Sequence, residues 1–170
     1  LLQSGAEATI LRANWFFQNF SEDLFLPYIQ TGTLALPAGD IPEPFVDAND
    51  IADCAVTCLL DPQHLGKTYE LSGPEALTFE DVTSIIGNSA NRNIDFVPIT
   101  IDQLDARLAS DGVPQDFRSL ISYLFSEVLD GRNSAPTGDI EHILGRMPTS
   151  LADYARQTAQ TGIWKLAKRA

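Results

Sequence analysis

The stretch that most constrains this chain is Ala8-Thr-Ile-Leu-Arg-Ala-Asn-Trp-Phe-Phe-Gln-Asn-Phe-Ser21. Thr9, Ile10 and Leu11 form an apolar, β-branched run too short for a helix, which reads as a buried strand. Behind it stand Arg12 and Asn14, then Trp15, Phe16, Phe17 and Phe20, interrupted by Gln18 and Asn19. So much aromatic surface where a strand ends must be covered, by protein or by ligand. In an open α/β sheet the carboxyl ends of the strands are where ligands bind, and an apolar pocket with a few fixed polar groups is the usual site. A strand leading into a core helix whose aromatics only pack would give the same residues.

The rest of the chain alternates strand and helix signals. Pro27 cannot sit deep in a helix, so a short turn begins there and stops near Gly32. Thr33-Leu-Ala-Leu-Pro37 reads as a strand, and Phe45-Val46 as a short strand entering a helix at Asp47. Asp47 is a good N-cap, with Asp50 a second carboxylate in the first turn. Ile51, Ala55, Cys58 and Leu59 make the expected core stripe of that helix. Thr68 to Ser72 alternates as a half-buried strand, broken by Gly73-Pro74. Thr78 caps a helix expected to end at Gly87-Asn88, Ile94 to Ile99 is another strand, and Thr100 caps a helix carrying Ile101, Leu104 and Leu108. After Pro114, Phe117, Leu120, Ile121, Leu124, Phe125 and Val128 recur at three and four residues, the strongest helical signal in the chain. Ser150 opens a last helix, followed by Trp164 and a basic tail. Leu1 is not methionine, and Leu1-Leu-Gln-Ser-Gly5 reads as a helix end closed by glycine. The expectation is therefore a piece of a longer protein or a processed product.

Composition excludes several classes. There are 11 basic and 23 acidic residues, a net charge of −12, which repels phosphate backbones and disfavours nucleic acid as a partner. No apolar run approaches the ~20 residues needed to span a bilayer, and no signal-peptide pattern opens the chain. Two cysteines give no disulfide framework, so a reducing, cytoplasmic setting is expected. At 170 residues the expectation is one domain without internal repeats.

Three segments carry a resemblance: the opening stretch, Glu43-Pro-Phe-Val-Asp-Ala-Asn-Asp-Ile-Ala-Asp53, and Gly66-Lys-Thr-Tyr-Glu-Leu-Ser-Gly73, with Asp153-Tyr-Ala-Arg and Thr161-Gly-Ile-Trp164 in the tail. In this order and spacing they resemble the C-terminal half of NmrA-like proteins, atypical short-chain dehydrogenase/reductases that bind NAD(P)H. The resemblance implies an α/β fold: the C-terminal part of a Rossmann-like parallel sheet, plus a mostly helical substrate-binding lobe at about 78–145. It implies NADP or NAD as cofactor, with the ring against the end of the first strand. Arg12, Asn14, Trp15 and Phe16 would form the cofactor wall, and Phe17, Asn19, Phe20 and Tyr123 would face a small unsaturated or aromatic substrate.

Other chemistry finds little support. No strand–Gly–helix dinucleotide fingerprint is present, so the residue that separates NAD from NADP is not in this sequence. A Tyr-x-x-x-Lys acid pair is absent: Tyr28, Tyr69, Tyr123 and Tyr154 are followed four residues later by other residues. The proton donor is thus left open. Gly66-Lys67-Thr68 imitates a phosphate loop, but Asp61 stands where its first glycine belongs and the strand–helix order is reversed, so it reads as a turn. Cys54 and Cys58 lie four apart, yet His64 and His142 are the only histidines, and buried free thiols are expected rather than a metal site. Asp47 and Asp50 read as helix-start residues rather than an acid/base pair.

The leading expectation is an NAD(P)H-dependent reductase. The alternative from another class is a regulator that senses dinucleotides without chemistry and binds a protein partner. A third is a stand-alone domain whose open strand edge favours association with another chain, including a second copy.

Overall fold

The computed structural model describes residues 7–22 and 24–165. The glycine-closed opening and most of the basic tail lie outside the described residues. The architecture is α/β with parallel strands. β1 (Ile10–Ala13) pairs in parallel with β3 (Thr68–Leu71), and β2 (Thr33–Leu36) in parallel with β4 (Asp95–Pro98). The helices are α1 (Leu26–Thr31), α2 (Ala48–Leu60), α3 (Phe79–Ala90), α4 (Ile101–Ser110), α5 (Gln115–Tyr123), α6 (Asp139–Leu144) and α7 (Leu151–Thr161).

The segment 43–46 sets the geometry where β1 and β3 end. Beyond Ala13, Asn14 N–H still donates to Leu71 O at 3.1 Å. The chain then changes partner: Val46 N–H donates to Trp15 O and Phe17 N–H to Val46 O, both at 2.9 Å. Gly73, just past β3, donates to Pro44 O at 3.0 Å. Residues 44–46 thus bind the ends of both strands. Glu43 and Leu77 close the region with an antiparallel bridge. Phe45-Val46, expected as a strand, makes a single parallel bridge, Val46 to Phe16.

The main core is aromatic. Phe20, Phe25, Phe45 and Phe79 pack around one another with ring centroids 5.1 to 6.1 Å apart, several edge to face. Trp164 seals this core from the C-terminal side, donating from Nε1 to Phe20 O at 2.7 Å. A second cluster joins Val46, Cys54, Cys58, Tyr69 and Leu71 to Ile140 and Ile143 of α6.

Three local expectations change. α3 continues through Gly87-Asn88 to Ala90 and closes on Asn91 in the left-handed region, φ 52°. Gly87 is required there by close approach rather than as a stop: a Cβ would stand 2.8 Å from Arg92 O. Leu59 is 85% exposed, because Cys54 and Cys58, one position round the helix, take the core side of α2. Asp47 caps α2 as expected, accepting from Asn49 N–H at 2.9 Å. Asp50 does more than sit in the first turn. It is buried, takes Arg146 at 2.7 Å and accepts Thr149 N–H at 2.7 Å, tying α2 to the segment between α6 and α7. Asp50→Ala leaves that amide without its acceptor, while Arg146 keeps Asp53 and water. A loss of about 2 kcal/mol is expected in urea unfolding, and Asp53→Ala, removing only a surface partner, should cost well under half as much.

Candidate functional site

Where β1 ends, a cavity of about 750 Å³ opens between the strand end and the α5 region. Arg12, Asn14, Trp15, Phe16 and Asn19 form one side, and Phe117, Leu120, Leu124 and Val128 the other. Glu43, Arg132 and Asn133 contribute polar groups.

The residue order produces the first wall through a single 3₁₀ turn, Phe17–Phe20. In such a turn side chains three apart share a side. Phe17 and Phe20 are 1% and 0% exposed and belong to the core, whereas Phe16 and Asn19 line the cavity. This corrects the expectation that Phe17 and Phe20 face a substrate. Phe17 packs on Tyr154, and Phe20 on Phe25, Phe45 and Phe79, all at tilted or edge-to-face angles. Trp15 has both roles. It lines the cavity and also packs on Phe25, Phe79 and Phe125, centroids 5.2 to 6.4 Å away.

The opposite wall comes from the helix after Pro114. Its apolar arc is wider than one core stripe. Ile121 and Phe125 are buried, while Phe117 and Leu120 remain about half exposed on the cavity side. The helix ends in a π turn, Leu124–Val128, where Leu129 N–H reaches Leu124 O at 2.9 Å. Tyr123 is 55% exposed and off the cavity wall, which corrects its expected place in the pocket. The width of the apolar arc was the readable sign of this wall.

Asn14 is the fixed polar group. Its Nδ2 donates to Glu43 Oε2 at 3.2 Å and to the backbone oxygen of Asn133 at 3.3 Å. A carbonyl oxygen only accepts, so the amide orientation is set, and Oδ1 is left as an acceptor without a partner among the described residues. Arg12 is paired with Glu70 at 2.8 Å. Arg132 pairs with Asp130, whose carboxyl it holds down at about 2 by hydrogen bonding from its side chain and backbone. The cysteines stand away from the cavity, and burial pushes the Cys54 thiol up to about 11. Among the described residues no group of His, Cys, Asp and Glu is arranged to hold a metal, and no helix is long and apolar enough to cross a membrane.

An apolar cavity with one fixed amide acceptor suits a flat ring bearing a hydrogen-bond donor, such as a nicotinamide carboxamide. The chain is similar to several known proteins. The chain is 32% identical over 161 residues to the uncharacterized oxidoreductase YesF of Bacillus subtilis (strain 168), spanning 93% of this chain and 56% of that one. It is 33% identical over 153 residues to agroclavine dehydrogenase of Claviceps fusiformis, spanning 88% of this chain and 53% of that one. The chain therefore covers about half the length of these curated relatives. Its fold superposes on an NADPH-dependent quinone oxidoreductase from Escherichia coli solved with NADPH, with TM-score 0.82 and 22% identity over 92% of this chain and 55% of that one. A model of the NmrA-like family matches residues 2–157, a span that holds both strand pairs, the aromatic strand end and both cavity walls, and the chain belongs to that family.

Proposed function

We propose that this chain forms the substrate side and part of the nicotinamide wall of an NAD(P)H-dependent reductase. The observation that carries the reading is the cavity at the carboxyl end of β1, with one apolar wall, a facing wall that mixes aromatic and polar side chains, and a fixed amide acceptor. Arg12, Asn14, Trp15 and Phe16 would hold the nicotinamide, with Asn14 Oδ1 taking its carboxamide N–H. Asn19 and the Phe117, Leu120, Leu124 and Val128 side would enclose a small unsaturated or aromatic acceptor. The cofactor supplies hydride. The protein supplies a dry enclosure and alignment of donor with acceptor. The oxidoreductase, dehydrogenase and quinone oxidoreductase named among the similar proteins support this class of reaction.

The test is NAD(P)H oxidation with quinone, enone and imine acceptors by the protein carrying this chain, wild type against Phe16→Ala. Phe16 is 40% exposed, so truncation should leave the fold intact while removing a contact worth about a factor of ten in kcat/KM. Unchanged turnover in Phe16→Ala sinks the site assignment. Tight NAD(P)H binding with no consumption by any acceptor would instead favour a dinucleotide sensor.

A further inference from the structure

Glu43 stands apart from the other charged groups of the cavity. Arg12 faces Glu70 and Arg132 faces Asp130, so two guanidiniums and two carboxylates are mutually paired. Glu43 has no cation beside it among the described residues. Its backbone is pinned at both ends, N–H to Leu77 O at 2.8 Å and Leu77 N–H to its own carbonyl at 3.0 Å. The side chain is buried, 2% exposed, yet forms part of the cavity wall. Oε2 accepts from Asn14, and Oε1 is buried without a partner among the described residues. An ionised carboxylate in that place would have one neutral hydrogen bond to offset its desolvation, which is unfavourable. A neutral acid fits better, since one amide donor to Oε2 suffices for a group that carries no charge. Burial pushes the Glu43 carboxyl up, the Asn14 hydrogen bond opposes, and the charge of Asp130 adds to the rise. Among the described residues no Tyr, His, Lys or Cys lines the cavity, and guanidiniums do not give up protons at neutral pH.

We propose that Glu43 is the proton donor of the reduction, serving acceptors whose double bond ends in a basic atom, such as a carbonyl, quinone or imine. This rests on the reductase reading above. NAD(P)H gives a hydride, with its two electrons, to the carbon end of the double bond. The carboxyl O–H bond of Glu43 breaks, its proton bonds to the heteroatom, and the electron pair stays on the carboxylate. Glu43 then regains a proton from solvent, so one NAD(P)H and one proton are consumed per acceptor reduced.

Glu43→Gln tests this, because glutamine reproduces the shape of the neutral acid and can still accept from Asn14, but has no proton to give. The expected result is a kcat at least ~100-fold lower with KM for NAD(P)H within about twofold, and loss of the alkaline limb of the kcat/KM profile. Glu43→Asp should retain part of the rate and keep that limb. The second readout needs no cofactor. A carboxyl whose folded pKa lies above its ordinary 4.5 stabilises the fold below that value, and the contribution is lost as pH rises through the folded pKa. Wild type should therefore lose stability with rising pH relative to Glu43→Gln. Wild-type rate and pH profile in Glu43→Gln would overturn the donor role, as would a stability difference that does not change with pH. Failure of wild type to oxidise NAD(P)H with any of these acceptors would remove the reductase reading itself. The pH–stability comparison would still report whether Glu43 is held as a neutral acid.

Discussion

Gly73→Ala is expected to destabilise the fold by on the order of 3 kcal/mol, a fall of roughly 6–12 °C in Tm for a chain of this size. The reason is one atom. A Cβ at position 73 would lie 1.9 Å from Phe45 O and 3.1 Å from Phe45 C, both backbone atoms that no rotamer change can move aside. The same backbone is held from its other side, because Val46 is bonded to Trp15 and Phe17, and Gly73 itself to Pro44. To admit a methyl group, segment 44–46 would have to leave one of the two strand ends it joins. That motion would also displace Glu43 and the first cavity wall, so loss of ligand binding should accompany loss of stability. Gly138→Ser is the control: nothing lies within 4 Å of its added Cβ, and Tm should be nearly unchanged. Equal midpoints for the two variants by thermal melt would mean that the close approach at Gly73 is relieved in solution.

Much of this was legible in the sequence, and the misses share a cause. Elements whose signal is local were placed well: the caps at Asp47, Thr78, Thr100 and Ser150 all form, each accepting a backbone N–H two or three residues on. The resemblance pointed to the end of the first strand, and Arg12, Asn14, Trp15, Phe16 and Asn19 do line one cavity there. What failed was the side each residue takes. Six positions after β1 hold four aromatics, and residue type alone cannot say which face inward. The 3₁₀ turn decides it, and that turn is fixed by a partner 30 residues away, Val46. Glu43 was invisible as a functional group for the same reason. Between Pro42 and Pro44 it looks like any loop glutamate. Only its pairing with Leu77 and burial beside Asn14 make it a candidate acid. On α5 the periodicity was right, but it does not distinguish an apolar face packed on the core from one lining an open cavity.

Trp15→Ala is expected to produce the second large effect, and it separates the wall's support from its surface. Trp15 touches Phe25, Phe79 and Phe125, and Phe79 packs on both of the others, so truncation opens a hole where the cavity wall meets the aromatic core. About 3–5 kcal/mol should be lost, with Tm down by roughly 10 °C. Phe16, next in sequence, should show the reverse balance, with little stability lost and binding weakened. Trp15→Phe keeps an aromatic face at lower volume and should recover most of the stability. If it recovers binding in the same proportion, Trp15 acts on the ligand mainly by holding the strand end in place. If stability returns and binding does not, the indole itself is the contact surface. The geometry favours a contribution of both kinds, since the same ring lines the cavity and packs on Phe125, which follows Leu124 on the opposite wall. A Trp15→Ala protein with wild-type Tm would show that the three-ring contact does not hold the two walls together, and the cavity would then owe its shape to the backbone pairing of Phe16 with Val46 alone.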